Sequence, residues 1–218
     1  CLGDGGGWEG VCGCERRMWC RRSARAASAK DALFLFATGE SREAAAASRH
    51  DFESSQGDTL TMVNVFTAYA DIAHRNPHGI RAWCDERFVS ARALERTEVV
   101  RGQLRDAGAK LRCGTAEEAV ARPLDADSSR GLRRALTVAF FAQTAGLQPS
   151  GEYVTLSSRR RETAAIHPAS VLYRRRAKCV IFNELLFTTR FYMRVVTEID
   201  AAWLPELAPQ AFSNKALR

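Results

Sequence analysis

The apolar residues of this chain change period once, and that change restricts the fold more than any other feature. From Leu60 to about Arg75 they recur at helical spacing. Leu60, Val63, Phe66 and Ala70 share a face, with Met62, Val65, Tyr69 and Ile72 on the adjoining ones. Asn76-Pro77-His78-Gly79 is a turn signal. A short helix is expected through Trp83 and Phe88. Ser90 is placed to cap a longer one running to about Leu111, with Leu94, Val100, Leu104 and Leu111 toward the core. Arg122-Pro123 to Ser129 reads as a linker, and Leu132 to Leu147 as a further apolar helix. After Gly151 the texture changes. Residues 152–157, 163–166, 178–187 and 191–199 are rich in β-branched and aromatic side chains, and short basic loops separate them. Ala201 to Leu207 closes as a short helix stopped near Pro209. Helices followed by a compact set of strands make an α+β chain with two subdomains of different class.

Upstream of this pattern, residues 40–56 contain strong helix formers. Gly57 and Asp58 punctuate the chain, and Asp58 is a reasonable N-cap for the helix that follows. Residues 1–31 are rich in Gly, Arg and Ala without a clear period, and read as a disordered or non-native leader. Four of the seven cysteines, Cys1, Cys12, Cys14 and Cys20, crowd into it. Their gaps make no C-x-x-C pair and the nearest histidine is His50, so unpaired thiols are expected rather than a zinc site. An odd count without a signal peptide fits reduced thiols inside a cell. The start at Cys1 rather than Met reads as a fragment or an incomplete gene model.

At 218 residues and 46% hydrophobic, the chain can bury a substantial core. Its formal net charge of +7 suits a polyanionic partner such as nucleic acid or an acidic membrane surface. No stretch approaches the roughly 20 apolar residues that cross a bilayer, and a membrane is not among the partners expected. Local catalytic signatures are missing: there is no G-x-x-x-x-G-K-[S/T], D-E-A-H, H-E-x-x-H or G-x-S-x-G, and the four histidines sit in unrelated contexts. No catalytic residue and no metal ligand is assigned.

Two blocks of sequence carry a resemblance. The first runs Gly57-Asp58-Thr59-Leu60-Thr61-Met62-Val63-Asn64-Val65-Phe66, then Trp83-Cys84, Phe88-Val89, Arg92-Ala93-Leu94, Val99-Val100-Arg101 and Gln103-Leu104. The second runs Gly151-Glu152-Tyr153, then Ile166-His167-Pro168-Ala169-Ser170-Val171-Leu172-Tyr173, Val180-Ile181-Phe182-Asn183-Glu184, Thr188-Thr189-Arg190, Tyr192-Met193-Arg194, Val196-Thr197-Glu198-Ile199, Trp203-Leu204, Glu206 and Ala208-Pro209. In order and spacing these resemble the C-terminal helicase-associated helical region and OB-fold of the DEAH-box ATP-dependent RNA helicases. The H-P-A-S-V-L-Y and W-L-x-E-L-A-P segments look most like the spliceosome-associated members. Departures include Thr59 for the usual His, Ala139 for Gly, Ala169 for Ser and Arg190 for Lys.

The resemblance implies a ratchet-like α-helical bundle followed by a five-stranded OB-fold β-barrel. It covers about 57–104 and 131–209, and more faintly 32–56; with the leader read from composition, the chain divides into a disordered or atypical leader at 1–31, a winged-helix or linker remnant at 32–56, a helical bundle at 57–130, an OB-fold with its leading helix at 131–212, and a tail at 213–218. It implies a part of a single-stranded RNA tunnel closed over RecA-like motor domains. ATP and Mg would bind in those domains, so no cofactor is expected in this chain. Pre-mRNA splicing, a nuclear location and G-patch or spliceosomal partners are implied more loosely. A motor-less RNA-binding or scaffold module, and a non-functional remnant, are the competing readings.

The candidate RNA contacts follow from an OB-fold's use of a basic groove and stacking rings. Arg159, Arg160 and Arg161 form one basic loop, and Arg174, Arg175, Arg176 and Lys178 another. Thr188, Thr189 and Arg190 bring hydroxyls and a charge to a motif that faces RNA in the family, and His167 lies in a second such motif; equally, His167 would hold its own loop. Phe191 and Tyr192 alternate across a strand, so at most one faces a groove. Trp83, Phe88, Phe140, Phe141 and Trp203 read as core anchors.

Overall fold

Alanine-rich and helical-period segments become helices in the computed structural model, which describes residues 33–35, 37–39, 41–110, 124–156 and 161–212. Helix α1 spans Ser41–His50 and α2 spans Asp58–Arg75. The turn after α2 is a 3-10 helix at Pro77–Gly79, started by the Asn76 side chain accepting from the Gly79 amide at 3.2 Å. Helix α3, Ile80–Glu86, ends where Phe88 adopts φ 52. Ser90 does cap the next helix, α4 at Ala91–Lys110, its hydroxyl accepting from the Ala93 amide at 3.2 Å. Val65, Phe66, Tyr69, Cys84, Val89 and Leu94 form one buried cluster among these helices. Leu104 is buried and Val100 half-buried, while Leu111 lies outside the described residues.

Two boundaries differ from expectation. Helix α5 runs Ala126–Phe140, so the expected linker to Ser129 is partly helical. Asp125 caps it, its carboxylate accepting from the Ser128 amide at 2.7 Å, which also holds its pKa below the usual carboxylate range. That polar first turn carries no apolar period to announce it. At the other end, Thr144–Leu147 is not helix but strand β1. Gly146 weakens a helix there, and a ladder to the later strands, Thr144↔Ile181 and Ala145↔Thr155, overrides local propensity.

The other strands are β2 at Tyr153–Thr155, β3 at Thr163–Ile166, β4 at Cys179–Phe187 and β5 at Phe191–Glu198. They close as β1-β2-β3-β5-β4, a five-stranded barrel in which β3 and β5 are parallel and the other neighbours antiparallel. Val180, Met193, Val196 and Leu172 fill the interior. A second cluster, including Leu60, Leu136, Phe140, Trp203, Leu204 and Phe212, joins α2, α5 and the short helix α6 (Trp203–Leu207) to the barrel. Arg134 pairs with Glu206 and lies over the Trp203 ring, which fastens α6 to α5. Of the expected core aromatics, Phe140 and Trp203 are buried, and Trp83, Phe88 and Phe141 are half-buried.

The seam between helices and barrel runs along β5. Gly57 bridges Thr197 at φ 130, and a Cβ there would lie 2.5 Å from the Val196 carbonyl oxygen. The Glu198 amide donates to the Gln56 carbonyl at 2.9 Å, and the Thr197 hydroxyl bonds Thr59 at 3.0 Å. Asp58 is not the N-cap expected of it. Gly57 holds that position, and the Asp58 carboxylate instead crosses the seam to accept the Val171 and Val196 amides.

Candidate nucleic-acid interface

The parallel pairing of β3 with β5 builds the site. Ile166 opposes Met193, and the ladder continues one residue further as the His167 amide donates to the Met193 carbonyl at 2.9 Å. Met193 is fully buried inside the barrel, so strand alternation turns its neighbours Tyr192 and Arg194 outward. His167 meets the Tyr192 ring edge-on, with centroids 5.8 Å apart and planes at 78°. The Arg190 guanidinium lies 5.0 Å from the centroid of the same ring. Arg190, Tyr192 and His167 therefore form a continuous row: cation, ring face, imidazole.

Each member is tuned by its neighbours. A hydrogen bond to the Tyr192 hydroxyl holds the Arg190 pKa above the ordinary arginine value, with Tyr173 and Glu152 adding to the effect from a distance. Burial, then the Arg194 charge, pushes the His167 pKa down, while Asp58 opposes them. The Ala169 amide donates to His167 Nδ1 at 3.1 Å, so the neutral ring carries its proton on Nε2. His167 thus holds its own loop, as one of its two sequence readings had it. Arg194 pairs with Glu184 at 3.3 Å and extends the charged row along β5.

Thr188, Thr189 and Arg190 form the exposed turn between β4 and β5, closed by the Thr188 amide donating to the Arg190 carbonyl at 3.1 Å. Leu186 and Phe187 stand exposed beside it, and Phe187 packs on Phe191 at 5.0 Å between centroids. Phe191 also packs on the barrel core, which leaves Tyr192 as the ring of the row. Arg174, Arg175, Arg176 and Lys178 are exposed on the loop between β3 and β4, and Arg176 approaches the Gly151 turn. Arg161 is exposed just before β3, whereas Arg159 and Arg160 lie outside the described residues. Two further residues, Tyr173 and Arg194, not singled out as contacts from the sequence, lie near the row. Tyr173 is exposed at the head of the Arg174–Arg176 run, and an aromatic next to a basic run is a usable signal. Arg194 follows from Tyr192 by strand alternation.

Among the described residues no group of His, Cys, Asp or Glu could hold a metal ion, and no helix is long and apolar enough to cross a membrane. Cys1, Cys12, Cys14 and Cys20 lie outside the described residues. Burial pushes the Cys179 thiol up to about 12, so it is an inert core group.

Residues 132–211, which include the closed five-stranded barrel, match the oligonucleotide/oligosaccharide-binding (OB)-fold family. Longer matches extend over the helices as well. ATP-dependent RNA helicase DHX33 of Homo sapiens is 38% identical over 178 residues, which cover 80% of this chain and 23% of that protein. Pre-mRNA-splicing factor ATP-dependent RNA helicase DEAH10 of Arabidopsis thaliana is 32% identical over 189 residues, 80% of this chain and 24% of that protein. Probable ATP-dependent RNA helicase DHX35 of Homo sapiens is 35% identical over 164 residues, 75% of this chain and 21% of that protein. The chain is a relative of the DEAH-box ATP-dependent RNA helicases, and its OB-fold corresponds to their C-terminal region. It spans less than a quarter of the length of these relatives.

Proposed function

We propose that this chain serves as the C-terminal accessory region of an ATP-dependent RNA helicase, and that the row Arg190–Tyr192–His167 contacts single-stranded RNA. The observation that carries this reading is the Arg190 guanidinium set over the Tyr192 ring, with a neutral imidazole at the ring edge. A ring offers a base a stacking surface, and the exposed arginine meets phosphate. Arg174, Arg175, Arg176, Lys178 and Arg161 supply sequence-independent charge around the row, and the Thr188 and Thr189 hydroxyls supply donors for phosphate or a ribose 2′-OH. In this reading RecA-like motor domains hold ATP and Mg, and the barrel forms one wall of the RNA tunnel. One relative is named a pre-mRNA-splicing factor, which supports a role in splicing for this chain; spliceosomal or G-patch partners and a nuclear location are proposed along with it.

The test is fluorescence anisotropy with a short labelled single-stranded RNA, titrated at several salt concentrations. Binding should weaken as salt rises, and Arg190→Ala and Tyr192→Ala should each weaken it while leaving the melting temperature in place. Equal affinity of wild type and both variants overturns the assignment of this face.

A further inference from the structure

The row stands on two backbone segments, and beyond the end of their ladder a side chain from the helical part hydrogen-bonds to both. After His167 the chain leaves β3, and its pairing with β5 stops. Asp58, at the start of α2, fills the gap. One carboxylate oxygen accepts the Val171 amide at 2.9 Å and the other accepts the Val196 amide at 2.8 Å. Val171 lies in the loop that carries His167, and Val196 in the strand that carries Arg190's partner Tyr192. Asp58 is only 8% exposed. Arg49 of α1 reaches the same loop and donates to the Ala169 carbonyl, two residues from His167. Val195, directly before the second amide held by Asp58, adopts φ 52, a conformation that is strained for a β-branched residue and persists only where surrounding contacts enforce it.

We propose that Asp58 is a positioning residue for the nucleic-acid face: the carboxylate that docks the helices on the barrel also sets the His167 loop against β5, so the barrel's binding face is complete only with the helical part seated. This rests on the reading that the row binds RNA. It makes the seam a route by which a shift of α1 and α2 alters affinity at the row without touching the nucleic acid. Thr59 is the internal comparison. Its hydroxyl bonds Thr197 of β5 across the same seam, whereas Asp58 bonds both β5 and the loop.

The experiment uses the whole chain. Affinity for a labelled single-stranded RNA and melting temperature are measured for wild type, Asp58→Asn, Thr59→Val, Arg49→Gln, His167→Ala, Arg190→Ala and the double variant Asp58→Asn with His167→Ala. Asp58→Asn should lose about tenfold in affinity, equal to about 1.4 kcal/mol, and His167→Ala should cost less on that background than on wild type, because the loop is already displaced. Thr59→Val should lower the melting temperature and leave affinity within about twofold. If Asp58→Asn binds like wild type while His167→Ala and Arg190→Ala weaken binding, the positioning role is wrong and the RNA face stands. If His167→Ala and Arg190→Ala both bind like wild type, the RNA face itself fails. Should Asp58→Asn not fold, Arg49→Gln decides: weaker binding at an unchanged melting temperature supports the role, and unchanged binding overturns it.

Discussion

Strand β5 is held differently at its two ends. At its start, Phe191 and Tyr192 emerge from the exposed Thr188–Arg190 turn, and their neighbours are rings and a guanidinium in contact with solvent. Toward its end, Val196 and Thr197 are buried under α2, and Gly57, Asp58 and Thr59 each make a specific contact with them. The difference separates two kinds of sensitivity. Side chains at the seam have no room and no water to replace a lost partner, so substitutions there act first on stability, and at Asp58 on the row it positions as well. Side chains at the turn stay solvated whether or not they are paired, so substitutions there act on what binds.

The sharpest way to break this division is Gly57→Ala. The new Cβ would sit 2.5 Å from the Val196 carbonyl oxygen and 2.6 Å from the Thr197 Cα, both backbone atoms that cannot swing aside, at a φ of +130 that side chains rarely adopt. A loss of about 3 kcal/mol or more is expected in chemical unfolding. Wild-type stability would mean that the seam yields and that helices and barrel are loosely joined. Next in size is Tyr192→Ala. Removing the stacking ring should cost roughly 1–3 kcal/mol of single-stranded RNA binding, read by anisotropy, with a much smaller change in melting temperature because Tyr192 stands outside the barrel core. A large drop in stability with unchanged binding would place Tyr192 with the seam rather than the turn.

This division also explains what could be read in advance. The helical period of Leu60–Arg75 and the β-rich texture after Gly151 report burial, which composition records locally, and both became the elements expected. Strand β1 was hidden because Thr144-Ala145-Gly146-Leu147 has no pattern of its own, and its identity comes from β2 and β4, which lie later in the chain. Asp58 was misread for a related reason. A carboxylate before an apolar helix ordinarily caps it, and only the tertiary contact with Val171 and Val196 reveals the other use. Arg190 and His167 were legible as motif members. Their meeting on Tyr192 was not, because it depends on the parallel pairing of β3 with β5 across residues far apart in sequence.

At the turn itself Arg190→Ala tests the electrostatic share. Arg190 is exposed, so its removal should leave the melting temperature within about a degree, given that surface substitutions stay within about 0.5 kcal/mol. The slope of log affinity against log salt should become shallower by about one, the signature of one lost phosphate contact. An unchanged slope would assign Arg190 to holding Tyr192 alone.

The smallest effect belongs to His167, which sits between the two regimes: its ring faces the row while its Nδ1 holds the loop that Asp58 clasps. Its pKa is lowered from 6.5, first by burial and then by Arg194. A lowered histidine pKa means that the unfolded chain takes up the proton more readily than the folded one. The contribution of neutral His167 to stability is therefore fully present above the unfolded value of 6.5, and it is lost as pH falls through the folded pKa. Protonation at Nδ1 would also remove the acceptor for the Ala169 amide, so the loop and the titration move together. Wild type should lose more melting temperature than His167→Gln as pH is taken from above 6.5 to below the folded pKa, by a small margin because the ring is only half-buried. Parallel melting curves for the two proteins would show that the loop is held by Asp58 and Arg49 without help from His167, and would move His167 wholly to the binding side of the division.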